Sequence, residues 1–87
     1  MKPRREKHTL ILVEWKDSLQ PFSAWTHLDD APELSVADCR TVGWLIRENK
    51  TAIMLAQNVA DLGTDAAQAS GFMRIPKVCV TKRTRLL

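Results

Sequence analysis

The chain predicts an all-β fold: a small five-stranded open barrel with a long loop before the last two strands. Three observations carry this. Residues 71–80 read Gly-Phe-Met-Arg-Ile-Pro-Lys-Val-Cys-Val, an apolar run that stops at a proline and restarts at once as a β-branched run. Proline has no backbone donor and fixes φ, so it interrupts a ladder and suits the corner of a small barrel. Elsewhere, short runs of β-branched and apolar residues alternate with turn signals. The rival α+β reading puts helices over residues 34–49 and 51–68, with Leu45, Ile46, Met54, Leu55 and Val59 as an apolar stripe. Gly43, the β-branched Thr41, Val42 and Thr51, and the lack of a clear cap count against it.

Residues 1–8 read as a disordered basic arm, and residues 9–87 as a single β-barrel domain. Residues 9–15 form the first strand, apolar on both faces, which suits a central strand or one at a subunit contact. Residues 16–21 are a polar loop with turn chemistry at Asp17 and Ser18. Residues 22–28 read as a short strand carrying Trp25, and residues 29–38 as loop with at most one helical turn at 35–38. Residues 41–47 are a strand with Val42, Trp44 and Ile46 on one face and Thr41, Gly43 and Leu45 on the other. Trp44 reads as core. Glu48, Asn49 and Lys50 fit a tight hairpin, and residues 51–56 are the return strand with Ile53 and Leu55 facing in. Residues 57–70 read as the long loop. Residues 71–75 and 78–83 are the last strands, joined at Pro76. If Met73 and Ile75 face the core, Arg74 points outward.

At 87 residues the chain is one small domain, and it buries only about 60 to 65 per cent of its unfolded surface. That marginal core makes a homo-oligomer the expected state. No stretch approaches the roughly 18 apolar residues of a membrane span, and the basic start lacks the h-region and cleavage site of a secretory signal. Cys39 and Cys79 stand alone, without a CxxC pair, and read as buried reduced thiols.

The net charge of +3 conceals a layout. The segment to Lys7 is basic, residues 14–65 are net acidic, and no Asp or Glu follows Asp65. Arg74, Lys77, Lys82, Arg83 and Arg85 all fall in that last part. Such a layout suits a partner bearing phosphates, although cations on an edge strand also block sheet-to-sheet aggregation.

No catalytic or cofactor motif is present. His8 and His27 lack a metal-ligand spacing, no serine sits in a nucleophile elbow, and Walker A and GxGxxG loops are absent. The chain therefore reads as a non-enzyme without cofactor or metal. Trp15 ends the first strand beside Lys16 and Asp17, and Trp25 sits in a polar stretch. Both could stack on nucleobases, worth roughly 1 to 3 kcal/mol per base, or simply pack. Arg74 and Lys77 flank the Pro76 turn and suit phosphate. The candidate ligand-binding set is Trp15, Lys16, Asp17, Trp25, Arg74 and Lys77.

Gly71-x-Met73-x-Ile75-Pro76 followed by Val78-x-Val80 resembles the closing strand, 3₁₀ turn and last strand of SH3-like domains. Gly43-x-Leu45, a polar turn at Asn49 and Ile53-x-Leu55 are similar to the first signature of Sm-like proteins. Val13-x-Trp15-x-Asp17-Ser18, then Trp25, Val42 to Ile46 and Arg74 to Lys77, resemble small tailed-phage proteins. Some phage proteins of this size act as sponges that bind cyclic-nucleotide immune signals without cleaving them. The resemblance implies an SH3/Sm-like barrel in the bacterial host cytoplasm that sequesters a nucleotide-type small molecule. An Sm-like nucleic-acid-binding module and a protein–protein adaptor are the alternatives. The ligand aromatics of signalling SH3 domains and the second Sm signature are missing from this chain.

Overall fold

The computed structural model describes residues 8–18 and 21–87. Five antiparallel strands, β1 (Leu10–Asp17), β2 (Ala37–Glu48), β3 (Ala52–Ala60), β4 (Gln68–Pro76) and β5 (Val80–Arg85), form one sheet. Their order is β4-β3-β2-β1-β5. The fold is all-β, and the sheet is not closed: β4 and β5 are its two edges. The only helical pieces among the described residues are two 3₁₀ turns, Leu28–Asp30 and Lys77–Cys79. No helix there is long and apolar enough to cross a membrane. Of the basic arm expected over residues 1–8, residues 1–7 lie outside the described residues. His8 is half-buried, with its ring Nδ1 3.3 Å from the Leu45 carbonyl oxygen.

β1 is a central strand, lying between β2 and β5. Its inner side chains, Ile11 and Val13, join Ile53, Leu55 and Ile75 in the core, with Trp15, Leu45 and Val80 packed against them. Burying each large aliphatic contributes roughly 1.5 to 3 kcal/mol. Its outer side chains, Leu10 and Leu12, are only half-buried.

The β2–β3 turn is held by Asn49, whose Oδ1 accepts the N–H groups of Thr51 at 2.8 Å and Ala52 at 2.9 Å. A side-chain acceptor that mimics a backbone turn is why Asn suits this position. The Lys77 N–H donates to the Thr51 carbonyl at 2.7 Å. The 3₁₀ corner after Pro76 is thereby tied to the hairpin tip.

Lys16 and Asp17, expected in a loop, continue β1, and Met73, opposite Leu55 on the inner face, is 42% exposed rather than core; four further expectations need correction. Residues 22–28 form no strand; they run as extended loop into the 3₁₀ turn at Leu28–Asp30. They lack period-2 alternation, and no strand lies alongside to bond them. No helical turn forms at 35–38, because β2 already begins at Ala37, opposite Asp17. Residues 57–70 are not a long loop: β3 continues to Ala60 and β4 begins at Gln68, with ladder pairs at Asn58↔Ser70 and Ala60↔Gln68. This ribbon is solvated on both faces, so its strands keep a polar composition that reads as loop. The turn between them uses left-handed Asp61 and Gly63, at φ 54° and 82°. The long connection lies instead between β1 and β2.

Trp44 is the fourth. It is half-buried on the outer face, and the inward face of β2 is the one carrying Thr41, Gly43 and Leu45. The reason is Gly43. A Cβ there would stand 3.0 Å from the Leu55 Cβ and 3.2 Å from the Ala56 carbonyl. The missing side chain lets β3 cross β2 closely and places Leu55 in the core.

Candidate functional site

The site begins with one irregularity in β2. Leu45 pairs with Leu55, but the next pair is Arg47 with Met54, followed by Glu48 with Ile53. Ile46 is an extra residue, a β-bulge. Strict alternation from Leu45 would turn Arg47 into the core and Glu48 outward. The bulge shifts the phase by one residue, so Arg47 faces out and Glu48 faces in.

Inside, Glu48 meets two cations from the far edge of the sheet. Arg83 of β5 forks onto its carboxylate, with Nη1 donating to Oε1 at 3.2 Å and Nη2 to Oε2 at 3.0 Å. Lys77 Nζ lies 2.8 Å from Oε2. These hydrogen bonds, Arg83's first and Lys77's second, hold the Glu48 carboxyl far below its ordinary range, at about 2. The same contact raises the Arg83 pKa. The triad ties β2, β5 and the 3₁₀ corner together where no ladder does.

Outside, the register lines up Arg47, Met54 and Arg74 across β2, β3 and β4. Neighbouring strands are about 4.8 Å apart, so the two arginine Cα positions are separated by about 10 Å. The adjacent row runs Trp44, Ala56, Phe72. A groove of about 610 Å³ opens here, lined by His8, Ile46, Arg47, Met54, Val59, Leu62, Ala67 to Ala69, Phe72 and Arg74. Phe72 is 57% exposed, and its ring is available as a platform. Among the described residues, no carboxylate pairs with Arg47 or Arg74. Two guanidinium groups beside an aromatic ring and an apolar floor can hold an anion that carries a flat ring.

Gly71 shapes the β4 wall. Its φ is 71°, and a Cβ would come 2.9 Å from Gln57 Oε1. Only glycine takes this conformation without strain.

The six residues expected from the sequence are not brought together. Arg74 lines the groove. Lys77 is committed to Glu48. Trp15 packs on the core, and its Nε1 donates to Thr41 Oγ1 at 3.0 Å. Lys16 pairs with Asp38 across the β1–β2 ladder, which lowers the Asp38 pKa. Asp17 accepts the Ser18 N–H at 2.8 Å. Trp25 is fully exposed on the β1–β2 loop and does not line the groove.

The sequence alone does not mark Arg47, Phe72 or His8 as site residues. Phe72 was within reach, since it stands two positions from Arg74 and shares its face of the strand. Arg47 was not, because simple alternation gives it the wrong face.

Cys39 and Cys79 are free and half-buried. Among the described residues, no group of three or more His, Cys, Asp or Glu could hold a metal ion, and no buried side-chain polar atom lacks a partner. Comparison with family models, curated proteins and solved structures finds no match to this chain.

Proposed function

We propose that this chain is a non-enzymatic phage accessory protein that sequesters a nucleotide-type ligand in the Arg47–Arg74 groove. A cyclic-nucleotide immune signal is the ligand class that the sequence resemblance suggests. The observation that carries the reading is the row Arg47–Met54–Arg74 beside Phe72. Two arginines whose Cα positions lie about 10 Å apart suit a ligand with two phosphates. Phe72 supplies a stacking face, and Met54, Val59 and Leu62 an apolar floor. The strand order, with a 3₁₀ corner between β4 and β5, supports an SH3/Sm-like relationship. Binding withholds the ligand from its receptor, and no step alters it.

The test is a thermal-shift screen of the intact protein against cyclic di- and trinucleotides and a short RNA, followed by calorimetry. A small nucleotide should bind stoichiometrically and come off unchanged. Arg74→Ala should cost the roughly 1.5 to 3 kcal/mol of a hydrogen bond to a charged group. Affinity that grows with RNA length and falls steeply with salt would replace this reading with a nucleic-acid module. Unchanged nucleotide affinity in folded Arg74→Ala would remove the groove from consideration.

A further inference from the structure

The connection from β1 to β2 leaves large apolar side chains uncovered. Trp25 and Leu34 are fully exposed, Leu28 is 91% exposed and Phe22 65%. Within residues 21–36 every residue is exposed, and the hydrogen bonds there are local, such as Thr26 Oγ1 to the Ala24 carbonyl at 3.1 Å. Soluble chains rarely leave such side chains grouped in water, and a group of them marks a contact surface. The same segment carries Asp29, Asp30 and Glu33 and no Lys or Arg, a charge of −3 from three carboxylates.

A surface of opposite character lies on the same molecule. The outer sheet face presents Leu10, Leu12, Val42 and Trp44, with Val42 53% exposed. Register places Lys16, Arg40, Arg47, Arg74 and Lys82 on that face, with Glu14 and Asp38 as its acids. Five cations less two carboxylates leave +3. Arg40 pairs with Glu14 and Lys16 with Asp38, so both acids are already matched. The face is apolar and basic, and the loop is apolar and acidic.

We infer that the chain forms a two-fold dimer in which residues 21–36 of each copy lie on the outer sheet face of the other. The area is sufficient. Burying Phe22 and Trp25 removes about 300 to 500 Å² per loop, and the covered face loses a similar amount. Two reciprocal contacts therefore bury about 1,200 to 2,000 Å², the size of a stable interface. Reciprocity follows from two-fold symmetry, because each copy offers both surfaces. The inference does not rest on a groove ligand, and Arg47 and Arg74 lie on the same outer face that the loop covers.

Light scattering on the full chain at micromolar concentration tests it, with circular dichroism to check folding. The wild type should show the mass of two chains. Trp25→Asp combined with Leu34→Asp should show one. Reversing the loop charges (Asp29→Lys, Asp30→Lys, Glu33→Lys) should weaken the dimer at least about tenfold, because like charges then face each other. Reversing the face (Arg40→Glu, Lys82→Glu) should do the same. Where the face variant does not fold, Lys82→Glu alone takes its place. Mixing the two reversed chains should restore the mass of two, since each loop then meets an opposite face. A wild-type monomer would overturn the inference, and so would a dimer indifferent to both reversals. A monomer with a blue-shifted tryptophan emission that Trp25→Ala abolishes would also overturn it, by placing the loop on its own sheet.

Discussion

Glu48 and Arg47 are adjacent in β2, yet their surroundings are opposite. Glu48 faces inward and gathers Arg83 and Lys77. Arg47 faces outward beside Met54 and, one strand further, Arg74. The inner cations are neutralised within the fold, and the outer ones meet no carboxylate among the described residues. One bulge separates charge that joins β2 to β5 and the 3₁₀ corner from charge that meets no carboxylate among the described residues. In a strongly basic C-terminal half, the location of a cation therefore says less than its partner does.

The largest expected effect comes from neighbouring residues on β3. Ile53 is 1% exposed and Met54 is half-buried on the opposite face. Ile53→Ala removes core volume next to Glu48 and should cost about 2 to 5 kcal/mol in chemical unfolding. Met54→Ala should cost under about 1.5 kcal/mol of stability and should weaken the groove ligand. Equal stability losses at the two positions would mean that the faces are not distinct.

The second effect falls on binding alone. Arg47→Ala and Arg74→Ala should each lose about 1.5 to 3 kcal/mol of nucleotide affinity by calorimetry. The melting temperature should hardly move, because exposed positions without partners usually stay within roughly 0.5 kcal/mol. A large drop in stability would show that the outer arginines are structural as well. Gly71→Ala sharpens the same contrast. It forces a side chain into a left-handed φ, worth about 1 to 2 kcal/mol, and pushes against Gln57. It should lower stability and, by displacing Phe72, ligand affinity together.

The two faces also differ in how far the sequence reveals them. The Pro76 corner, the inward Ile53, Leu55 and Ile75, and the outward Arg74 follow from proline chemistry and alternation. Both work where a strand is regular and one face is dry. They fail at Ile46, because an extra residue in a ladder leaves no mark in composition, and every side chain beyond it changes face. They fail at Trp44 because the close approach at Gly43 decides which face β3 covers. The ribbon from Gln57 to Ser70 misleads for another reason: strands wet on both faces are under no pressure to be apolar. The six candidate site residues mixed both kinds of cation, since Lys77 and Arg74 look alike until Glu48 is seen beside only one of them.

The smallest effect tests the inner half of the comparison through pH. The Glu48 carboxyl is held at about 2, chiefly by hydrogen bonds from Arg83 and then Lys77, against an ordinary value of 4.5. A carboxyl with a depressed folded-state pKa stabilises the fold above the unfolded value and loses that contribution as protons bind. The contribution is therefore complete above about pH 4.5. It falls away between there and about 2, where the folded protein also takes up the proton. About a third of the Glu48 side chain is exposed, so solvent screening limits its worth to about 1 kcal/mol. Glu48→Gln removes the charge at every pH. Wild type and variant should thus differ by about 1 kcal/mol in urea unfolding at pH 7, and the gap should close toward pH 2. Asp38 is also depressed, by Lys16, and loses its contribution in the same direction. It is present in both proteins, so the difference between them isolates Glu48. Nucleotide affinity at pH 7 should be the same in both, because Glu48 faces away from the groove. A gap that stays constant with pH would mean that the variant acts through packing and not through the charge that joins β2 to β5 and the 3₁₀ corner.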